Sequence, residues 1–268
     1  MNILIIGTNE AEQKLIELCL KSKHLDKIFT ASNEPLENIP NVEYSDYEEL
    51  CQKAKALSID IAVVVDLAHM QNSISDVFKK NKVNIICSDK KWTNLQTSRI
   101  AAKLLMQHYS INTPEMLKVP ATFPVVIKTD KPGVKKIAHT MQELIEIREE
   151  IKDDNVFIEE ILQGEEHFLI SLWDGRSVIH FSPSFNMTEV QQDRLELYKT
   201  KLAFMLSDEN ASFKGFLVSK LLWAKNDWYV LRYKVAPNAE ELSSLLDNKT
   251  KDFGYLLNSI IYQKLNEI

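Results

Sequence analysis

Apolar runs and amphipathic segments alternate along the first third of the chain. Asn2–Ile6 and Asp60–Asp66 have the short, nearly continuous apolar character of buried parallel strands. Glu10–Lys21 and Tyr47–Leu57 carry apolar residues at helical spacing, and Asp46 is a candidate cap for the second of these helices. Strands that alternate with helices are typical of a doubly wound parallel sheet. The same pattern adds strands at Lys27–Ala31, Asn41–Glu43 and Val83–Cys87 and a helix at Gln71–Asn81.

A different order of elements follows this region. Trp92–Tyr109 is predicted to form one helix, and Pro114 marks the exit from the segment after it. We therefore place a domain boundary between residues 91 and 92. Further helices are predicted at Met141–Glu150, Val190–Leu206 and Thr250–Leu265. Strands are predicted at Val125–Lys128, Val156–Glu159, Gly215–Trp223 and Asp227–Tyr233, with turns at Asp174-Gly175 and Lys225-Asn226.

The composition is that of a soluble globular protein. The chain has 268 residues, of which 45% are hydrophobic and 26% charged, enough for two ordinary domains. A net charge of −6 argues against a nucleic-acid-binding surface. No apolar run approaches the roughly 20 residues of a membrane span, and the first residues form a strand pattern rather than a signal peptide. We expect a cytoplasmic protein with neither a nucleic-acid nor a membrane partner.

One pair of predicted strands carries the strongest chemical signal. An apolar run that begins at Val125 ends in Lys128, and a second run that begins at Val156 ends in Glu159 and Glu160. An ammonium group and carboxylates on neighbouring strands favour a nucleotide cleft. The lysine would face the phosphates. The acids would face adenine and ribose, because carboxylates accept hydrogen bonds from their N–H and O–H groups.

The same stretch resembles the ATP-grasp ligases and, among them, the phosphoribosylamine–glycine ligases. The resemblance is carried by Val126-Ile127-Lys128, by Ile158-Glu159-Glu160-Ile161-Leu162-x-Gly164-Glu165-Glu166, and by Asp174-Gly175. The order of segments agrees over nearly the whole chain, although the chain is short against that family. The resemblance implies an α/β fold: an N-terminal Rossmann-like parallel-sheet domain at residues 1–91, followed by an ATP-grasp-like α+β domain at residues 92–268.

The resemblance also assigns nucleotide-binding roles to particular residues. Lys128 would contact the phosphates, and Arg99 stands where the family has a second lysine that contacts ATP. The segment 159–162 would read adenine, and Glu165 or Glu166 would hold the ribose hydroxyls. The plainer interpretation of these positions is a solvated strand edge and an acidic surface turn. We predict an ATP site composed of Arg99, Lys128, Glu159, Glu160, Ile161, Leu162 and Glu166.

Two departures from the family concern phosphate and magnesium binding. The loop Thr129–Lys136 is shorter than its counterpart and contains one glycine, Gly133, so few backbone amides can approach phosphates. On a later strand the family has a glutamate and an asparagine, two residues apart, that bind Mg²⁺. Arg232 and Lys234 stand at these positions, and neither side chain can bind a cation. The sequence therefore argues against a Mg²⁺ site.

Two positions in the N-terminal third are also candidates for chemistry. Gly7 ends the first strand, but acidic residues follow where the family has a second glycine and a basic residue that help to hold the ribose-phosphate substrate. We predict a strand-to-helix turn without phosphate there. Asp66 and His69 follow another strand and could form an acid–base pair, although a surface loop is the better interpretation.

Three functional hypotheses remain open at this stage. The first is an ATP-dependent phosphoribosylamine–glycine ligase of purine biosynthesis. The second is a degenerate relative that binds a nucleotide weakly and acts through a protein partner. The third is an ATP-grasp ligase for a different acid and amine, with Asp227, Glu240 or Glu241 rebuilding a metal site. Loss of the presumed metal ligands favours the second hypothesis, because the metal stabilises charge in phosphoryl transfer. The catalytic residues and a homodimer are left open.

Overall fold

The computed structural model describes residues 1–131, 133–152, 155–181, 186–247 and 252–268. The predicted loop residue Pro132 and the predicted start of the last helix at Thr250 lie outside these ranges. Strands and helices alternate first, and antiparallel sheets follow, which confirms the predicted α/β fold. Within the described ranges, none of the helices combines the length and the apolar character that a bilayer crossing requires.

The N-terminal region is a parallel sheet with helices on both faces. Its elements are β1 (Asn2–Ile6), α1 (Glu10–Leu20), β2 (Lys27–Ala31), α2 (Tyr47–Ala56), β3 (Ile61–Val63), α3 (Leu67–Gln71), α4 (Ile74–Lys80) and β4 (Ile85–Ile86). The strand order is β2-β1-β3-β4. In β1, Leu4 and Ile6 pack into one core while Ile3 and Ile5 pack into another. Apolar residues at successive positions are needed because both faces of the sheet are buried.

The rest of the chain is built on antiparallel sheets. Its elements are α5 (Lys90–Thr97), α6 (Arg99–His108), β5 (Met116–Leu117), β6 (Val125–Thr129), β7 (Lys135–Ala138), α7 (Met141–Glu150), β8 (Val156–Glu160), β9 (Glu165–Trp173), β10 (Val178–Phe181), α8 (Glu189–Asp208), β11 (Gly215–Ala224), β12 (Asp227–Lys234), α9 (Ala239–Asp247), α10 (Phe253–Ile261) and a 3₁₀ turn (Leu265–Glu267). One sheet has the order β5-β8-β6-β7 and the other the order β10-β9-β11-β12. The first sheet packs one face on α7 through Ile127, Leu144 and Ile158.

The second antiparallel sheet packs against the N-terminal parallel sheet. Cys87, just after β4, donates its backbone N–H to the carbonyl oxygen of Lys214 at 2.7 Å. The rings of Trp92 and Phe213 lie 5.4 Å apart nearby. Buried apolar residues from both regions form continuous cores, so the shared apolar surface sets how the two regions meet. The domain boundary between residues 91 and 92 stays a prediction.

The predicted single helix Trp92–Tyr109 is two helices, α5 and α6. Ser98 separates them with an extended backbone, at φ −126° and ψ 113°. Its hydroxyl accepts a hydrogen bond from the backbone N–H of Ala101 at 3.0 Å and so caps α6. The prediction was wrong because the serine side chain competes for backbone groups that a continuous helix would use.

The predicted strand Asn41–Glu43 was also wrong. Asn41 makes one isolated bridge to Thr30, and its amide side chain bonds to both backbone groups of Ser32. By contrast, the predicted cap is confirmed, because Asp46 Oδ1 accepts a hydrogen bond from the backbone N–H of Glu49 at 2.8 Å. The local chemistry of short polar side chains therefore explains both outcomes.

Gly164 is the glycine whose replacement this fold tolerates least well. A Cβ at Gly164 would lie 1.9 Å from the backbone carbonyl oxygen of Trp223, because β9 and β11 pair there. We expect Gly164→Ala to lower the free energy of unfolding by about 2 kcal/mol or more, since backbone must move. The measurement is urea denaturation. Gly133→Ala is the matched control, because nothing lies within 4 Å of its Cβ position. Equal stability of the two variants would contradict the prediction.

Candidate functional site

A cavity of about 350 Å³ lies where α5, α6, β6, β8 and β12 meet. Its apolar part is formed mainly by Leu67, Leu95, Ala102, Met106 and Leu231. Its charged lining consists of Arg99, Lys103, Lys128, Glu159, Arg232 and Lys234. With five cations and one carboxylate in the described lining, the cavity favours an anionic ligand. Its volume is at the lower end of the roughly 300–1,000 Å³ typical of small-molecule sites.

Glu159 is the centre of a buried ion network in this cavity. Its side chain is 3% exposed, and its Oε1 lies 2.8 Å from Nζ of Lys103, which is also 3% exposed. Lys128 pairs with the other oxygen, Oε2. Lys103 further donates to Thr113 Oγ1 at 3.0 Å and to the carbonyl oxygen of Pro114 at 2.6 Å. All three N–H groups of Lys103 therefore have acceptors.

The strand register places the members of this network together. Lys128 lies opposite Phe157, and Glu159 is two residues further along β8, so the two charged residues are diagonal neighbours on one face. That face points toward α6, and the other face packs on α7. An antiparallel pair of strands is thus enough to bring a cation and a carboxylate from distant parts of the chain into one cavity.

Lys103 is a site residue that the sequence reasoning missed. Arg99, Lys103 and Met106 follow one another at the i, i+4, i+7 spacing of one helix face, and all three line the cavity. This helical spacing could have identified Lys103 from the sequence. Burial lowers the pKa of Lys103, and the nearby carboxylate of Glu159 opposes this change.

Arg99 is bound to the loop that follows β6. Its Nη1 donates to the carbonyl oxygens of Thr129 at 2.9 Å and Val134 at 3.0 Å. Burial lowers the pKa of Arg99; Glu159 opposes this change and the neighbouring guanidinium of Arg232 adds to it. The guanidinium keeps its charge in this setting. It therefore contributes a positive potential to the cavity, while two of its donor bonds hold the loop in place.

Asp130 fixes the same loop to the start of α6. Its Oδ1 accepts hydrogen bonds from the Ser98 hydroxyl at 2.7 Å and from the backbone N–H of Ile100 at 2.8 Å. Its carbonyl oxygen accepts from the backbone N–H of Arg99 at 3.0 Å. A helix N-terminus is a natural anion site, and here the protein's own carboxylate occupies it.

Arg232 and Lys234, which the resemblance predicts to stand in place of metal ligands, have different surroundings. Lys234 Nζ lies 2.6 Å from Glu241 Oε2, and that oxygen also accepts from the backbone N–H of Asn238 at 2.8 Å. Lys234 is therefore committed to the start of α9. Arg232 is exposed, and among the described residues no hydrogen bond or ion pair is found for its side chain. Arg232 is thus available to a ligand.

Part of the predicted ATP site lies away from the cavity. As far as the structure describes it, the lining does not include Glu160, Ile161, Leu162 or Glu166. Glu160 pairs with Lys225 at 2.6 Å, because alternation along β8 turns it away from Glu159. Glu166 pairs with Lys220 at 2.5 Å across β9 and β11. The predicted residues that the structure brings together are Arg99, Lys128 and Glu159. Nucleotide contacts of all seven residues stay a prediction.

The turn after β1 is filled by the side chain of Glu12. Gly7 has φ +106°, and a Cβ there would lie 3.1 Å from Glu12 Cδ. Glu12 is 1% exposed, and its Oε2 has no hydrogen-bond partner among the described residues. Burial raises the pKa of Glu12 to about 7; hydrogen bonds from the backbone of Glu12 and Asn9 oppose this, and the charge of Asp66 adds to it. The turn therefore holds a buried carboxylate, and the lack of phosphate binding there stays a prediction.

Asp66 and His69 have structural roles. Asp66 Oδ1 accepts from the backbone N–H groups of Ala68 at 2.6 Å and His69 at 3.4 Å, and so caps α3. Asp66 Oδ2 accepts from the Asn9 side-chain amide at 3.0 Å. The His69 ring nitrogen Nδ1 lies 2.8 Å from the Tyr47 hydroxyl. These bonds account for both residues without an acid–base pair between them.

The acids that an active alternative would need are not gathered around the cavity. In the part of the chain that the structure describes, no three His, Cys, Asp or Glu side chains are arranged to hold a metal ion. Asp227 accepts a hydrogen bond from the backbone N–H of Trp228 at 2.8 Å, and Glu241 is paired with Lys234. The described lining of the cavity therefore suits an anion, and the expected lack of a Mg²⁺ site stays a prediction.

Two antiparallel sheets that enclose a cavity beside a parallel α/β region define the ATP-grasp fold. Solved structures agree with this assignment. A D-alanine–D-alanine ligase from Bacillus anthracis, solved with ATP, matches with a TM-score of 0.66 and 18% identity, covering 100% of this chain and 98% of that one. The phosphoribosylamine–glycine ligase structure from Thermotoga maritima matches with a TM-score of 0.76 and 17% identity over 98% of this chain and 76% of that one.

Comparison of sequences shows which ATP-grasp ligases the chain resembles. Residues 1–96 match the phosphoribosylglycinamide synthetase N domain. Phosphoribosylamine–glycine ligases from Fusobacterium nucleatum and Clostridium acetobutylicum are 24% and 26% identical over 100% of this chain, which spans 75% and 76% of their lengths. The resemblance predicted from the sequence is therefore confirmed: the chain is similar to phosphoribosylamine–glycine ligases over its whole length, and its fold is that of the ATP-grasp ligases.

The ion network makes a strong prediction about stability. Glu159→Gln leaves Lys103 and Lys128 without their counter-charge, and Lys103 cannot reach water. We expect a loss of about 3 kcal/mol in the free energy of unfolding, measured by urea denaturation. Glu160→Gln is the matched control on the next residue, where loss of the more exposed pair with Lys225 costs less than about 1 kcal/mol. Losses of similar size in both variants would contradict the proposed network.

The raised pKa of Glu12 predicts that the stability of the folded protein depends on pH. Its pKa is raised from 4.5 to about 7, so the folded state binds the proton more tightly and loses stability as the pH rises through this range. A shift of this size corresponds to at most about 3 kcal/mol. We expect Glu12→Gln to be more stable than the parent at pH 8, with the difference shrinking toward pH 4.5. Chemical denaturation over this pH range is the measurement. The exposed Glu10→Gln is the control, and an unchanged pH profile for Glu12→Gln would refute the assignment.

Proposed function

We propose that this chain binds a nucleotide in the cavity through cationic side chains, without a phosphate-bound magnesium ion, and has little or no phosphoribosylamine–glycine ligase activity. The observation that carries the proposal is the position of Arg232 and Lys234. Both line the cavity on β12, at the positions where the resembled family has its metal ligands. Similarity to phosphoribosylamine–glycine ligases connects the chain to purine biosynthesis, and similarity to a ligase solved with ATP supports a nucleotide as the ligand.

The charges in the cavity explain how the chain can bind a nucleotide and still have little or no ligase activity. Nucleotide phosphates need positive charge, and the cluster around Arg232, Arg99 and Lys128 supplies it. A ligase of this class would in addition form an acyl phosphate from ATP, and that step depends on a metal that bridges the phosphates in the transition state. Fixed cations repel Mg²⁺ and offer no oxygen ligands to it. The arrangement therefore suits a ground-state nucleotide complex better than phosphoryl transfer.

The test is calorimetric titration with ADP and ATP, first in EDTA and then with Mg²⁺. We expect binding in EDTA that Mg²⁺ leaves unchanged or weakens, since Mg²⁺ and the cationic cavity compete for the same phosphate oxygens. Binding that strengthens 10-fold or more with Mg²⁺ would contradict the proposal and favour an active ATP-grasp ligase for another acid and amine. Absence of binding at millimolar nucleotide would contradict it in favour of a scaffold that acts through a partner.

A pair of substitutions serves as the internal control. Arg232→Glu with Lys234→Asn restores the residue types that bind Mg²⁺ in the resembled family. We expect the double variant to lose binding in EDTA and to gain Mg²⁺-dependent binding. Arg194→Ala is the matched control, because Arg194 is an exposed arginine on α8 that does not line the cavity. A double variant that binds like the parent in both conditions would show that these residues do not decide the metal dependence.

A further inference from the structure

Three large apolar side chains on the long helix α8 are exposed to solvent. Val190, Leu197 and Phe204 are 55%, 45% and 61% exposed. They follow one another at intervals of seven residues, and two turns of an α-helix take about 7.2 residues, so all three lie along one face. We call these three residues the α8 stripe. Apolar side chains gathered on one exposed face mark an interaction surface, whereas single scattered ones do not.

The α8 stripe is separate from the face by which the helix packs on the protein core. That inner face carries Leu195, Leu202 and Leu206, all of which are buried. On the outer face, the ring of Phe204 contacts the ring of Tyr109 at 5.9 Å between centroids and is still largely exposed. The helix therefore has a second apolar face in addition to the one that the fold needs.

Two opposite charges are placed symmetrically about the middle of the α8 stripe. Asp193 lies four residues before Leu197 and Lys201 four residues after it, so each is about one helical turn away. Asp193 is exposed, and among the described residues no hydrogen bond or ion pair is found for its side chain. Lys201 donates to the carbonyl oxygen of Ser110, which engages one of its three N–H groups. Both charges can therefore take a partner from another molecule.

We infer that the α8 stripe is the interface of a homodimer, in which the two α8 helices pair antiparallel about a two-fold axis at Leu197. Leu197 then faces Leu197 of the second copy, and Val190 faces Phe204 of the second copy. The same axis places Asp193 opposite Lys201 of the second copy, twice in each dimer. Such an interface is self-complementary, as two-fold symmetry requires. A parallel pairing is disfavoured because it would place like charges opposite each other.

The size of this surface predicts a reversible dimer. Specific stable interfaces bury about 1,600 Å² in total, and a single pair of helices with three apolar residues on each buries less. We therefore expect dimerisation at micromolar protein concentrations. The three residues of the α8 stripe are not part of the described cavity lining, so the dimer and the proposed nucleotide binding can be tested separately.

The experiment is sedimentation velocity at protein concentrations from about 1 to about 200 µM. We expect the average sedimentation coefficient to rise with concentration from that of a monomer toward that of a dimer. Leu197→Glu should stay monomeric throughout, because it brings two carboxylates together at the axis. Gln192→Glu is the matched control, since it adds the same charge at an exposed position of α8 outside the stripe, and it should associate like the parent. A parent that stays monomeric would overturn the proposal and leave the stripe to a different partner. Parent-like association of Leu197→Glu would overturn it as well.

An exchange of charges tests the antiparallel pairing itself. Asp193→Lys should weaken the dimer by about 10-fold or more, because the new lysine faces Lys201 of the second copy. Lys201→Asp should weaken it in the same way. The double variant with both substitutions should recover the association of the parent, since each pair again joins opposite charges. A double variant that is folded, as verified by circular dichroism, and no more dimeric than the single variants would overturn the proposed interface.

Discussion

The buried carboxylate of Glu159 is the interaction on which the site depends. It lies between Lys103 on α6 and Lys128 on β6, and so it joins a helix and two strands around one cavity. Removing one member of such a network leaves an uncompensated buried charge, which is costly in a medium of low polarity. The cavity can therefore keep its shape without a ligand. The same arrangement gives both Glu159 oxygens a cationic partner, while the adenine contact that the resemblance assigned to Glu159 stays a prediction.

Other carboxylates of the chain act in a similar way. Asp130 occupies the N-terminus of α6, and Glu12 fills the turn at the start of α1. Glu241 pairs with Lys234 at the start of α9. These caps and ion pairs leave Arg232 as the lining cation for which no partner is found among the described residues.

The sequence predicted the architecture better than the site. Apolar runs located β1 at Asn2–Ile6, and helical spacing located α7 at Met141–Glu150, because both signals are local. The break at Ser98 was missed since it depends on Asp130, more than 30 residues away. Lys128 and Glu159 were found by residue type and family resemblance. Lys103 shares a helix face with Arg99 but was missed, because its counter-charge on Glu159 becomes known only from the fold.

We propose that side chains, and not a metal, neutralise a bound phosphate in this cavity. The most direct measurement is a crystal structure of the protein with a bound nucleotide, grown in Mn²⁺ as a substitute for Mg²⁺ and examined by anomalous scattering. We expect a phosphate in contact with Arg232 and no anomalous peak between that phosphate and β12. A manganese peak bridging the phosphate and the protein there would contradict it.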